Sequence, residues 1–558
     1  MGSDSGAAPA GDRLSGLEDA VLGHVLSFLP ADEAARAAAF SRRWRHVFAH
    51  VHTVALEEPD PPIPDYDGNW SPGYSVPVDR NAGVPAPPTA NRVSAALFGR
   101  LGGAPLRALR VGFHAFSGLN AGLVDAWLSY AMGQAGEELH VDLRLRRAPV
   151  CGRRYSLRRR DGGAEDTDDE DGGGQAPAID EWAPFPWVYD PRGGDEESDD
   201  EGDSQDDDPA SPKSETAAAE DATPTPYENE YVAPRSLFSC AAPRSLRIGP
   251  CRLDLPAAVA LPSLGTLHLT QVTGAVQRLV SAFPRLADLT LEACDQLAAL
   301  DVPPGARLRR LALRCCHDLA AVAADSSELR AFEYRGAVPA PSFLTLRGGG
   351  RIASCKLDFC GAEATDPPEL ARLAGFLQLF VRAERLHLTS ARLGCGAALA
   401  FPAFPALRHL ELTGMVPDDD ATSAVATVTT ILERVPSLET LTLFFLPEPE
   451  DLEESEDLDV DDEELLDGHK LRYDRHAPLA VPDAEIPPCL RETTREINLV
   501  HYEGGLAQRT LAKFLLRNAS VVGEVCGEFA QGPLWIQTRL MEEIKGWVVN
   551  KSANMMFF

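Results

Sequence analysis

The sequence predicts an α/β chain: a small helical module at the N-terminus, then a solenoid of parallel strands, then an α+β segment that caps it. Three observations predict this. An apolar pattern, L-x-x-L-x-L, recurs from residue 243 onward, at first in steps of 21 to 23 residues that later lengthen. Apolar stripes at helical spacing lie between the strand-like units. Two short amphipathic stretches, within 12–52, precede both.

The N-terminal stretch comes first. Leu22, Val25, Leu26 and Leu29 fall at helical spacing, and Pro30 ends the run. Phe40, Trp44, Val47, Phe48 and Val51 then follow the i, i+4, i+7, i+8, i+11 pattern of one apolar face, predicting a second helix. Asp32 and Glu33 suit a helix start, where free backbone N–H groups favour negative charge. A module of about forty residues is too small to bury its own apolar surface, so it is expected to dock on another chain or on the domain C-terminal to it.

The order of Leu14, Leu17, Leu22, Val25, Leu26, Leu29 and Pro30, with the block Ser41-Arg42-Arg43-Trp44-Arg45, resembles the F-box of plant proteins. Glu18 departs from the pattern, standing where the family usually has Pro. The resemblance implies that residues 12–52 bind a Skp-type adaptor and, through it, a cullin. Leu14, Leu17, Leu22, Val25, Leu26, Leu29, Pro30 and Trp44 would be the adaptor contacts.

Residues 1–11 are expected to be disordered, and 53–90 to be a Pro-rich linker, with nine prolines between 59 and 90. Within 91–147, Leu106-x-x-Leu109-x-Val111 and Leu139-x-Val141-x-Leu143 look like two early repeats, with a helix around Val124–Ala131 between them.

The net charge of −32 is concentrated. Residues 161–230 hold 25 acidic side chains against Arg192 and Lys213, and 448–467 hold 13 with no basic one. The remainder is slightly positive. Such tracts cannot offset their ordering entropy by burial, so 148–231 is expected to be an acidic, mostly disordered insertion and 447–480 an acidic loop. The aromatic island Trp182, Phe185, Trp187, Tyr189 stands inside the first tract. The arginines from Arg144 to Arg160 beside it read as a solvated flank or as a basic nuclear-import signal.

From 232 to 446 the repeats recur, the later steps lengthened by inserted helices or loops. Leu246, Leu267, Leu289, Leu311, Phe332 and Cys355 form one phase, with steps of 21, 22, 22, 21 and 23 residues. Period and core match leucine-rich repeats: each unit supplies one short strand, and units must stack because none can bury its apolar face alone. Cys251, Cys294, Cys316 and Cys360 each lie three residues after the last apolar residue of a strand, the slot these repeats fill with Asn or Cys. That placement, and the lack of a CxxC pair among 11 cysteines, predicts neither a metal site nor a disulfide framework.

Residues 481–558 differ in pattern. Arg495–Val500 reads as a strand, Leu511, Phe514 and Leu515 lie on a helix, and a second helix covers about Trp535–Trp547. Ile497, Leu499 and the block Lys513-Phe514-Leu515-Leu516-Arg517 resemble the FBD-type tail of plant F-box proteins, implying a cap that closes the array.

No HExxH, Walker A, GxGxxG or GxSxG pattern is present, and no cofactor or enzyme activity is expected. With no run of about eighteen apolar residues and no signal peptide, no membrane span is expected, and a cytoplasmic or nuclear compartment is the expectation. The outward strand positions, Arg247, His268, Glu333, Lys356, His387 and Glu411 among them, would line the concave face and contact a protein target. Their mixed polarity gives no basic stripe for nucleic acid. The resemblance implies a substrate receptor of an SCF-type ubiquitin ligase. Two other readings stay open: a leucine-rich scaffold with a degenerate F-box, and an acidic-tract nuclear protein binding basic partners.

Overall fold

Alternation of apolar and polar residues forces each repeat to present one face to the core, and neighbouring strands then fall into register. The computed structural model describes residues 16–39, 44–58, 88–100, 103–114, 116, 120–146, 230–283, 285–303, 306–360, 364–394, 396–417, 421–447, 470–474 and 476–558. Fifteen parallel strands form one sheet in chain order. The first five are β1 (Thr53–Glu57), β2 (Leu106–Gly112), β3 (Ala135–Arg144), β4 (Pro243–Gly249) and β5 (Thr266–Thr270). Next come β6 (Asp288–Glu292), β7 (Arg310–Arg314), β8 (Ala331–Gly336), β9 (Ser354–Phe359) and β10 (Arg385–Arg392). The last five are β11 (His409–Met415), β12 (Thr440–Phe445), β13 (Glu496–Tyr502), β14 (Glu524–Phe529) and β15 (Asn554–Phe557).

The register keeps the repeat phase intact across the sheet. Val54 pairs with Leu109, Val141, Leu246, Leu267, Leu289, Leu311, Phe332 and Cys355 in succession. The row continues through Leu386, Leu410, Leu441, Ile497, Val525 and Met555. From Val54 to Val525 every residue in it is buried. Two three-stranded sheets, 232–233/251–253/272–274 and 299–301/321–325/344–347, run alongside. Elsewhere helices cover the leucine face with the predicted stripes. Leu373 and Leu377 of the helix Pro367–Gln378 are buried, as are Val425, Val428 and Leu432 of Ala421–Leu432.

The N-terminal module is continuous with this array. Its helices are α1 (Asp19–Leu26), α2 (Ala31–Ala39) and α3 (Trp44–Val47), the last running into a 3-10 turn, Phe48–His50. The predicted second helix is thus divided; its first apolar residue, Phe40, lies outside the described residues. Glu18 begins α1, its carbonyl accepting from the Val21 and Leu22 N–H groups at 3.0 Å, so the missing Pro leaves the helix start intact.

Three boundaries differ from the sequence reading. The span 53–90 is not all linker: Val54 and Leu56 alternate inward and make β1 the sheet's first strand, and α4 (Thr89–Phe98) closes the segment. A single five-residue strand without the leucine pattern carries too weak a signal to stand out. The insertion ends before Glu230: Tyr231 is buried and donates to Asp125 Oδ1 at 2.8 Å, and Glu230 accepts from Thr273. In 447–480, Leu471 and Tyr473 pack on the core, and Lys470 bridges to Gln531. At its end the C-terminal segment adds β13–β15 to the same sheet. The two acidic tracts, 161–229 and 448–467, the aromatic island and the disorder expected for 1–11 lie outside the described residues.

Candidate interaction surfaces

Helix α1 carries apolar residues on two faces, and packing separates them. Leu22 and Leu26 are buried in the core. Val21, Val25, Phe28 and Leu29 are 43%, 44%, 77% and 37% exposed, too much for core residues and contiguous at i, i+4, i+7, i+8. Of the predicted adaptor contacts, Val25, Leu29 and Pro30 therefore face solvent, Leu17 and Trp44 are half-buried against the core, and Leu22 and Leu26 hold the helix down. Leu14 lies outside the described residues. Sequence reasoning missed Val21 and Phe28 because a short helix with apolar residues all round gives no unique core face.

The helix is held rigidly beneath that stripe. Ser27 Oγ donates to Gly23 O at 2.7 Å and accepts from the His52 N–H at 3.0 Å, fastening α1 to the chain entering β1. His24 Nδ1 and His52 Nε2 lie 2.8 Å apart, so one ring donates and the other accepts. Burial, then Arg107, His24 and Arg100, lower the His52 pKa, keeping that ring neutral. Arg92 of α4 donates to Asp32 of α2 at 2.8 Å. Buried Arg100 donates to the carbonyls of Val51 and Ala104. The exposed stripe thus sits on a helix fastened to the chain entering β1.

The second surface is the open face of the sheet. Arg247, His268, Thr290, Ala312, Glu333, Lys356, His387, Glu411 and Thr442 fall in one register row, as predicted from their strand positions. Lys356 is exposed, and Arg247, His268, Glu333, His387 and Glu411 are half-buried.

A second row, two residues further along each strand, ties the first together. Glu292 accepts from His268 Nε2 at 3.3 Å, Thr270 Oγ1 at 3.1 Å and Arg314 Nη1 at 3.3 Å. Arg314 Nε donates onward to Glu333 at 2.9 Å, and Arg310 donates to the other Glu333 oxygen at 3.0 Å. Burial pushes the Glu292 carboxyl up, but the His268 hydrogen bond and the Arg314 charge outweigh it and hold it down to about 2. Glu333 is lowered the same way, burial being overcome by Arg314 and Arg310. Sequence reasoning missed Glu292 and Arg314 by taking one outward position per strand; the residue after the last strand leucine was the available signal.

Further along, the face is less ionic. His387 is pushed down to about 4 by burial and by Lys356. Burial raises Glu411 despite Lys356. Although His387 and Glu411 lie 3.5 Å apart, both shifts favour their uncharged forms, so the imidazole is neutral and bonds Thr413 at 3.0 Å. The face therefore grades from an ion-paired patch at β5–β8 to one at β10–β11 where the neutral His387 is hydrogen-bonded to Thr413.

Away from both surfaces, Cys315, His317 and Cys360 come together, a grouping their separation in sequence conceals. No helix among the described residues is long and apolar enough to cross a membrane.

Residues 221–466 match the family described as At1g61320/AtMIF1, LRR domain. This stretch is a leucine-rich-repeat domain. Its strands β4–β12 are those whose phase the sequence shows, and the same parallel sheet continues beyond it on both sides. The chain is also similar to Arabidopsis thaliana proteins over short stretches. F-box/LRR-repeat protein At3g59200 is 43% identical over 49 residues, 9% of either chain. F-box/LRR-repeat protein At3g59250 is 36% identical over 67 residues, 11% of this chain and 16% of that protein. F-box/LRR-repeat protein At4g14096 is 38% identical over 69 residues, 12% of this chain and 15% of that protein. The leucine-rich-repeat domain and these similarities together support an F-box/LRR type of chain.

Proposed function

We propose that this protein is a substrate receptor of an SCF-type ubiquitin ligase and catalyses nothing itself. In this reading the N-terminal module docks a Skp-type adaptor, and through it a cullin, while the open face of the sheet recruits a protein target in the cytoplasm or nucleus. The effect would come from proximity: holding a target near a charged conjugating enzyme raises its effective concentration. The FBD-like tail, β13–β15 with its helices, would close the array.

The observation that carries the reading is the stripe Val21, Val25, Phe28, Leu29, left exposed along α1 and the turn that follows it while the other face of α1 is buried in the core. Contiguous exposed apolar side chains of this kind mark contact sites more often than plain surface. The F-box names of the similar plant proteins supply the partner class.

A pull-down of full-length protein with a purified Skp-type adaptor tests it, alongside Val25→Glu and Phe28→Ala. Capture by the wild type that both variants lose, with circular dichroism unchanged, supports adaptor docking through this stripe. Absence of capture by the wild type refutes the ligase reading, and capture that both variants retain refutes the placement.

A further inference from the structure

We propose that Cys315, His317 and Cys360 form a binding site for a thiophilic closed-shell metal ion, Zn2+ or Cu+. The Sγ atoms of both cysteines and a ring nitrogen of His317 lie within 4.8 Å of one another. Ligands of one zinc ion, bound at about 2.1–2.3 Å, stand about 4 Å apart, so small side-chain rotations close the set. Soft thiolate with imidazole is the donor combination that selects such ions over calcium or magnesium. Two thiolates would neutralise Zn2+, which suits a site with two buried ligands, and the exposed His317 supplies the approach from solvent.

Repeat geometry explains Cys360 but not Cys315. Cys294, Cys316 and Cys360 occupy the turn slot three residues after a strand's last apolar residue. There Cys294 Sγ lies 3.6 Å from the carbonyls of Leu269 and Glu292, and Cys316 Sγ 3.5 Å from that of Arg314. Cys315 sits one place earlier, at the residue that immediately follows β7. The equivalent positions after β5 and β6 are Gln271 and Ala293. All three have positive φ, of 50°, 46° and 51° in chain order. The three N–H groups donate to the carbonyls of Glu292, Arg314 and Arg335 on the next strand, at 2.7, 2.8 and 2.6 Å. Glutamine and alanine serve that turn equally well, so the turn does not call for a thiol.

The strand between the two cysteines is β8, and the residue beside Cys315 is its terminal Gly336. A Cβ there would stand 2.8 Å from Tyr334 Oη. With no side chain at that place, the thiols from strands two apart can converge across it. The Tyr334 hydroxyl is occupied by Ala337 O, to which it donates at 2.6 Å.

The test uses full-length protein, reduced and stripped with chelator, titrated with Zn2+ or Cu+ against a chromophoric competitor. Co2+ in a parallel arm reports thiolate ligation by its charge-transfer absorption. Cys315→Ala is the decisive variant, because alanine is what the neighbouring repeat carries at this turn and the fold tolerates it. His317→Ala is the second, and Cys240→Ser the control. The expected result is one equivalent of Zn2+ or Cu+ per wild-type chain, at least tenfold weaker binding in both variants, and no change in the control. Failure of both ions to bind, or affinity unchanged in Cys315→Ala and His317→Ala, overturns the site.

Discussion

Gly23 of α1 lies so close to His50 that a Cβ added to it would stand 2.5 Å from the His50 Cβ and 2.7 Å from its carbonyl carbon. That approach lets Ser27, four residues on, reach the His52 N–H, and it sets the angle at which α1 presents its exposed stripe. Gly23→Ala must therefore push α1 off the 3-10 turn. Overpacking of this kind costs about 1–3 kcal/mol. Alanine's better helix propensity returns about 1 kcal/mol. The net expectation is a loss of up to about 2 kcal/mol, seen as faster hydrogen exchange of the α1 amides. Unchanged exchange would mean that α1 does not rest on Gly23.

Leu26 and Phe28 separate stability from binding. Leu26→Ala removes a buried side chain and should cost about 2–5 kcal/mol. Phe28→Ala removes a largely exposed one, so its effect on unfolding should stay within about 0.5 kcal/mol. Denaturant titration of the two variants checks the contrast; equal losses would contradict the burial assigned to α1.

The repeats were legible because leucines at fixed phase leave one strand register. Leu246 to Cys355 meet in a single row for that reason. The outward row Arg247–Glu411 was legible too, since strand alternation fixes the face of every second residue. The split between Leu26 and Phe28 was not, because a two-turn helix with apolar residues on both sides leaves the core face to tertiary packing. Nor was the meeting of Cys315 with Cys360, which depends on a glycine in the strand between them. β1 escaped notice because five residues hold only two inward apolar side chains.

Acid should weaken the fold in two steps. The folded His387 pKa, about 4, lies below the ordinary value of 6.5, so the unfolded chain takes up the proton first. Stability therefore falls as pH drops from about 6.5 to about 4, by up to about 3 kcal/mol in total. Glu292 acts in the next window. Its carboxylate contributes stability above its ordinary pKa of 4.5, and that is lost as pH falls toward about 2. Urea unfolding from pH 8 to pH 4 should show the first limb, and His387→Gln should flatten it. A variant that declines as steeply as the wild type would remove His387 as the cause.

The C-terminal end depends on one charged pair. Helix Leu534–Trp547 supplies Glu543, whose oxygens accept from Arg509 Nη2 at 2.8 Å and Nε at 2.9 Å. Tyr473 donates to the same carboxylate at 3.0 Å, the Arg509 guanidinium lies 4.8 Å above its ring, and Arg509 also donates to Asp474 O at 3.0 Å. This cluster pins the segment following the second acidic tract against the helix Leu506–Asn518, which bears Arg509. Glu543→Ala leaves the nearly buried guanidinium without its carboxylate, and removing one partner of such a pair costs about 3 kcal/mol or more. The expected outcome is a lower unfolding midpoint together with new proteolytic cleavage between Lys470 and Ala480. Glu543→Asp should restore part of the midpoint, because a carboxylate remains within reach of Arg509. If Glu543→Ala lowers the midpoint and the segment stays uncut, Leu471 and Tyr473 hold it through apolar packing rather than through the ion pair.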